Sequence, residues 1–374
     1  MYISYAGIHQ RRRLMNMNEE EKDPGYFRGR GSQINPHNRF LKEKAVQEHF
    51  EMIDEPLLLD EKTEIIYTHP KTIINRVDSP DLMGLSMNPY QGCEHGCVYC
   101  YARNTHEYWG YSAGLDFERK IIVKENAAEL LQKELSNPKH VPEPIMFSGN
   151  TDCYQPVERK LNITRKMLEV LLKFRHPAAM ITKNSLILRD LDLLTEMAKL
   201  RLVHVMISVT GTDENMRRIL EPRTATYRQR FDTIRRLDEA GVPVGVMVAP
   251  VIPGINSHEI PEVMRLAAEA GADTAGMTIV RLNGQIGDIF RDWLQKNFPD
   301  RAEKVWHQVQ ECHGGKVNDS RFGTRMRGEG AVAESIGKLF RVSRQKYFTR
   351  DRDFEFDLSL FNPRAGDAQL SLFD

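Results

Sequence analysis

Asn88-Pro89-Tyr90-Gln91-Gly92-Cys93-Glu94-His95-Gly96-Cys97-Val98-Tyr99-Cys100 holds three of the chain's five cysteines within eight residues, spaced C-x3-C-x2-C. The run directly follows Leu85–Met87, a short apolar stretch that reads as a strand, so the cysteines fall on the loop at its C-terminal end. Such a loop can wrap three sulfurs around one inorganic centre, and thiolates favour zinc, copper(I) or iron–sulfur clusters. A structural zinc site wants a fourth ligand, for which His95, His106 or Cys153 can be proposed; an iron–sulfur cube on three thiolates leaves one iron open. The spacing by itself favours neither. Five cysteines clustered in this way do not make a disulfide framework.

From about Leu85 to Val280, short β-rich runs alternate with amphipathic helical stretches, the pattern of repeated βα units on a parallel sheet. Six strands are expected, at Leu85–Met87, Ile145–Phe147, Met180–Thr182, Val203–Ser208, Val244–Val248 and Thr274–Val280. Tyr227, Phe231, Ile234 and Leu237 repeat at helical spacing before Gly241, and Ile260, Val263, Met264 and Ala267 before Gly271, so both glycines read as helix stops. The alternation permits an open doubly wound sheet or a barrel, and in either case chemistry belongs at the C-terminal strand ends.

Around this core, 83–285, the chain divides into a polar N-terminal extension, 1–45, and a lead-in segment, 46–82. A C-terminal helical extension, 286–361, follows, and a flexible tail, 362–374. The first extension is expected to be mobile or laid over the main domain without a core of its own. In the C-terminal extension Trp293, Phe298 and Trp306 are expected to cover one side of the sheet, and the segment FGTRMRGEG, from Phe322, suits a loop.

The 374 residues are 41% hydrophobic and 28% charged, which is globular composition and excludes collagen, mucin and coiled-coil readings. Lys plus Arg (52) balances Asp plus Glu (52), so net charge decides nothing about partners. No stretch approaches the roughly 18 apolar residues of a bilayer span, and Arg11, Arg12 and Arg13 precede no apolar segment. The expectation is a cytoplasmic protein without a membrane partner.

The cysteine loop resembles the signature loop of the radical S-adenosylmethionine (SAM) superfamily in its spacing, in the aromatic Tyr99 before the last cysteine, and in its place after the first strand of a six-fold βα series. The resemblance implies an α/β fold, a partial (β/α)6 TIM-like barrel, with a [4Fe–4S] cluster held by Cys93, Cys97 and Cys100. It further implies SAM on the open iron, cleaved to a 5′-deoxyadenosyl radical by an electron from a donor such as flavodoxin or ferredoxin.

Over roughly Met83 to Val280 the chain is most similar to the spore photoproduct lyase branch and its bacterial relatives. By that resemblance Ser148, Asn150 and Asp152 receive the SAM ammonium, Lys183 reaches toward SAM, Ser208 and Thr210 hydrogen-bond the ribose, and Val251 and Tyr99 belong to the cofactor pocket. Glu221-Pro222-Arg223-Thr224 resembles a turn of the same branch; read without it, Thr224 or Thr226 caps the helix carrying Tyr227. One departure concerns hydrogen return. The lyase donates a hydrogen atom from a cysteine whose place here is Gly149, and Cys153, just after Asp152, is the catalytic substitute that the sequence offers.

Gln369, Leu370, Leu372 and Phe373 resemble the short peptide by which bacterial replication and repair proteins bind the DNA polymerase sliding clamp. Arg217, Arg218, Arg223, Arg228, Arg230, Arg235 and Arg236, with Arg321, Arg325 and Arg327, are candidate phosphate contacts. The function expected is hydrogen abstraction from a nucleic-acid substrate, in DNA repair. The alternatives are radical modification of a protein, peptide or small metabolite, and a non-catalytic zinc-binding adaptor.

Overall fold

Val203, Val205 and Ile207 alternate with His204, Met206 and Ser208, and a strand sends two such sets to opposite faces. In the computed structural model, which describes residues 26–27, 29–41, 62–77, 84–349 and 354–366, the first set is buried under flanking helices. The second set turns to the inner face of the sheet, where Ser208 reaches a cavity.

The strands are β1 (Glu64–Thr68), β2 (Ile74–Val77), β3 (Gly84–Met87), β4 (Tyr90–Gln91), β5 (Lys120–Lys124), β6 (Ile145–Phe147), β7 (Ala178–Thr182), β8 (Val203–Ser208), β9 (Val244–Val251) and β10 (Thr274–Ile279). Among the described residues seven form one sheet in the order β10-β9-β8-β7-β6-β3-β2, with β2 antiparallel to β3 and the other six parallel. β2 and β10 are its two edges and do not pair with each other, so the sheet is an open, partial barrel. A second sheet, β1-β5-β4, builds the base from which the cysteine loop departs.

The six parallel strands fall on the expected runs, with one instructive difference. β9 continues through Pro250 to Val251, because the Val251 carbonyl accepts a hydrogen bond from Val280 N at 2.9 Å and pairing with β10 carries on past a bulge. The helix Tyr227–Glu239 is started by Thr226 in a reciprocal capping box with Gln229. It stops at Gly241, whose φ of +76° is one that L side chains avoid.

Beyond the sheet, β1 and β2 lie in what the sequence presents as a lead-in segment. Residues 29–38 are laid over the domain, with Arg30, Ser32, Gln33 and Asn38 buried. Trp293 and its neighbours do not cover the sheet. With Phe298 and Trp306 they pack against Cys97, Val98, Tyr99, Leu220 and Ile252, behind the cysteine loop. The Gly- and Arg-rich loop instead protects the free edge of β10, since Met326 O accepts from Ile279 N at 3.0 Å. Among the described residues no helix is long and apolar enough to cross a membrane.

Two fully buried histidines make the fold acid-sensitive. Burial lowers His106 to about 4, and burial with His140 nearby lowers His176 to about 4. The unfolded rings titrate near 6.5 and bind protons first, so the stability they contribute is complete above that pH and is lost as pH falls toward 4. Denaturant unfolding at pH 7 and pH 5 is expected to differ by about 2 kcal/mol per ring from this source, and His106→Gln to remove roughly half of the difference. Equal stability at both pH values would refute the assignment.

Candidate active site

β4 pairs antiparallel with β5 through Tyr90 and Gln91, and two residues later Cys93 N donates to Phe117 O at 2.9 Å, which fixes where the cysteine loop begins. The loop has little regular structure, so its polar backbone must be satisfied from outside. Arg103 Nε donates to Cys97 O at 2.9 Å, while its Nη2 meets Glu118 Oε1 at 2.5 Å; both side chains are fully buried. Glu118 also accepts from Gly31 N at 3.1 Å and Ser32 N at 2.8 Å, binding the N-terminal segment to the same knot. Gly31 and Gly96 are in backbone contact there, since a Cβ on Gly31 would lie 1.7 Å from Gly96 O.

Cys93, Cys97 and Cys100 line one cavity together with Ser148, Asp152, Lys183 and Ser208, at the C-terminal ends of β6, β7 and β8. Burial first, and then Asp152, push the Cys93 thiol well above its ordinary value, and burial and Glu221 do the same to Cys97. Lys183 Nζ lies 5.8 Å from the centre of the Tyr99 ring. Ser208 O is taken by Arg230 Nη1 at 3.0 Å. Ser148 Oγ accepts from Cys153 N at 2.9 Å.

Asp152 is a hub. Oδ1 accepts from Thr182 Oγ1 at 2.7 Å and Tyr154 N at 2.9 Å, and Oδ2 accepts from Lys183 N at 2.9 Å and lies 3.3 Å from His95 Nδ1. Burial alone would raise this carboxyl, but His95 and the hydrogen bonds outweigh it and bring it down to about 2. Asn184 donates its amide to His95 Nε2 at 3.1 Å, which leaves Nδ1–H for Asp152.

Other residues singled out in the sequence are not among those that line the cavity. Tyr99 is buried with its hydroxyl donating to Glu221. Asn150 N donates to Asn88 Oδ1 at 2.8 Å, and the Thr210 hydroxyl meets Tyr227 Oη at 2.9 Å. Val251 is buried, and its backbone pairs with Ile279 of β10. Cys153 is fully buried in the principal hydrophobic core and is not among the cavity-lining residues. Residues 369–373 lie outside the described residues. Several arginines grouped as phosphate contacts are held in ion pairs: Arg217 with Glu214, Arg230 with Glu221, Arg235 with Asp232, and Arg321 with Asp319 and Glu329.

His95, weighed in the sequence only as a metal ligand, emerges as the tie between the cysteine loop and Asp152. Glu118 and Arg103 carry no sequence signal, and Arg230 reads in the sequence only as a phosphate contact, because a buried charge is spelled like a solvated one.

The donor set bears on the choice of inorganic centre. Zinc needs a fourth ligand, but both nitrogens of His95 are engaged, Cys153 faces the core, and His106 is not among the residues that line the cavity. Among the described residues no three His, Cys, Asp or Glu side chains converge on a single-ion site. Three thiols on a shared cavity with no fourth suit a larger centre that keeps one corner for a small ligand.

The comparisons agree with that class of protein. The radical SAM superfamily model matches residues 87–267. An uncharacterised protein of Mycobacterium tuberculosis is 32% identical over 238 residues, 63% of this chain and 70% of its own length. The sporulation killing factor maturation protein of Bacillus subtilis is 27% identical over 276 residues, 68% of this chain and 60% of its own. A solved spore photoproduct lyase, complexed with dinucleoside spore photoproduct, shares the fold with a TM-score of 0.57 at 15% identity, over 76% of this chain and 80% of the lyase. The chain belongs to the radical SAM superfamily and is an enzyme whose cofactors are a [4Fe–4S] cluster and SAM. The zinc-adaptor reading is thereby corrected.

Removing one member of a buried ion pair strands the other. Glu118→Gln is expected to lower unfolding free energy by about 3–5 kcal/mol, read by denaturant titration of the protein. A change below about 1 kcal/mol would show that Arg103 is satisfied by its backbone partners alone.

Proposed function

We propose that this chain abstracts a hydrogen atom from a nucleic-acid substrate, with Cys93, Cys97 and Cys100 as the protein ligands of its cluster. The observation that carries the site assignment is the meeting of these three thiols with Ser148, Asp152, Lys183 and Ser208 in one cavity at the strand ends. When bound, the cluster supplies an electron to SAM, whose cleavage gives the hydrogen-abstracting 5′-deoxyadenosyl radical. The chain's residues bind and orient.

Lys183, held over the Tyr99 ring, pairs with the SAM carboxylate. The Ser208 hydroxyl, whose own carbonyl is taken by Arg230, is left for the ribose, with Thr210 behind it. Asp152, its lone pairs filled, lends negative charge toward the SAM ammonium, while the side chains of Ser148 and Asn150 supply direct contacts. Val251 contributes apolar packing toward the adenine.

A nucleic-acid substrate is supported by the fold shared with a lyase complexed with a dinucleoside photoproduct and by the clamp-like peptide Gln369–Phe373. An electron donor of the flavodoxin or ferredoxin kind and a cytoplasmic setting complete the reading. The similarity to the Bacillus subtilis maturation protein favours a second reading, in which the substrate is a peptide.

Anaerobic reconstitution followed by dithionite and SAM is expected to yield 5′-deoxyadenosine, and Cys97→Ala to reduce it more than about 100-fold. Deuterium from labelled DNA or RNA is expected to appear in the 5′-deoxyadenosine. Label arriving only from peptide pools would replace the nucleic-acid reading with the second one.

A further inference from the structure

Between the helices Glu214–Leu220 and Tyr227–Glu239 runs a short turn whose polar atoms reach several separate parts of the site. Leu220 O accepts from Val98 N at 3.1 Å, and Arg223 N donates to His95 O at 3.2 Å, so the turn grips the cysteine loop at two points. Ala225 N donates to Lys183 O at 3.2 Å, at the end of β7. Arg230 Nη1 donates to Ser208 O at 3.0 Å, at the end of β8. In the middle Glu221 accepts from the Tyr99 hydroxyl on one oxygen and from Arg230 Nη2, at 2.5 Å, on the other. Arg230 is also bound to Ala225 O and Thr224 Oγ1, and neither Glu221 nor Arg230 has any exposed surface.

A buried ion pair of this kind is a poor device for stability, since desolvation offsets most of its attraction and apolar residues of similar volume serve as well. Its geometry is informative instead. Besides its bonds within the turn, the pair reaches the cysteine loop at the Tyr99 hydroxyl and the end of β8 at Ser208 O. We propose that Glu221 is a positioning residue. Through Tyr99 on one side and Arg230 on the other, it sets the separation between the cysteine loop and Ser208, with Lys183 held by the same turn. The inference rests on the assignment of Cys93, Cys97 and Cys100 to the cluster and of Lys183 and Ser208 to SAM, and adds that their spacing is held from outside the cavity.

The test uses the reconstituted full chain. Iron content reports cluster assembly. The SAM concentration that produces half of the SAM-induced change in the electron paramagnetic resonance spectrum of the reduced cluster reports positioning. Glu221→Gln keeps an acceptor for Tyr99 but removes the charge that holds Arg230. It is expected to retain wild-type iron while raising that concentration by about 10-fold, the scale of one charge-assisted hydrogen bond. Tyr99→Phe removes only the hydroxyl and is expected to raise it by about 3-fold at unchanged iron content.

A merely structural role would lower melting temperature and iron content together and leave the half-saturating concentration of the folded fraction where it was; that result overturns the proposal. Should Glu221→Gln fail to fold, Tyr99→Phe decides, and an unchanged half-saturation in it is equally fatal. A wild-type protein whose spectrum ignores SAM would instead remove the site assignment beneath the inference, and the inference with it.

Discussion

The fully buried pair of Arg103 and Glu118 is the constraint on which the site depends. The cysteine loop has two glycines at positive φ, Gly92 and Gly96, and cannot hold its own shape through regular hydrogen bonding. Arg103 supplies a partner to Cys97 O and ties the loop to the following segment by donating to Ala113 O and Gly114 O. Glu118 neutralises it and reaches across to the N-terminal segment. The desolvation of two charges is offset only because nearly every polar atom of the pair is used, so the arrangement tolerates little displacement.

A second buried pair, Glu221 with Arg230, repeats the solution at another point of the loop, the Tyr99 hydroxyl. Between the two, the cysteine loop is clamped against the sheet and the N-terminal segment. The apolar backing from Trp293 and Phe290 fills the space behind it. The loop is thus gripped by charge at its flanks and by packing at its back, while the cavity side is left to Cys93, Cys97 and Cys100. That division suits a site whose ligands must reach a cofactor while their backbone stays fixed.

The parallel sheet does the rest. Its strands deliver Asp152, Lys183 and Ser208 to one end because parallel pairing keeps every C-terminal end on the same side. Asp152 then joins its own loop to two others, since it is bonded by Tyr154 N beside it, by Thr182 and Lys183 at the end of β7, and by His95 of the cysteine loop. A residue that looks in the sequence like a free acceptor for a ligand is, in the fold, mostly occupied in holding its neighbours.

What the sequence determined by itself was periodic or local. Alternation in Val203–Ser208, helix-spaced apolar residues before Gly241, and the C-x3-C-x2-C spacing each express one element's geometry in neighbouring letters, so the six parallel strands and the three thiols could be read directly. Whether Val251 ends a strand or continues one depended on a bond from Val280, which no local pattern records. Tertiary structure alone decided that Cys153 faces the core, that His95 serves Asp152, and that the polar segment around Gly31 is wedged against Gly96. The reason is physical: burial and long-range pairing are properties of where distant segments meet, and an arginine destined for the interior carries the same side chain as one destined for water.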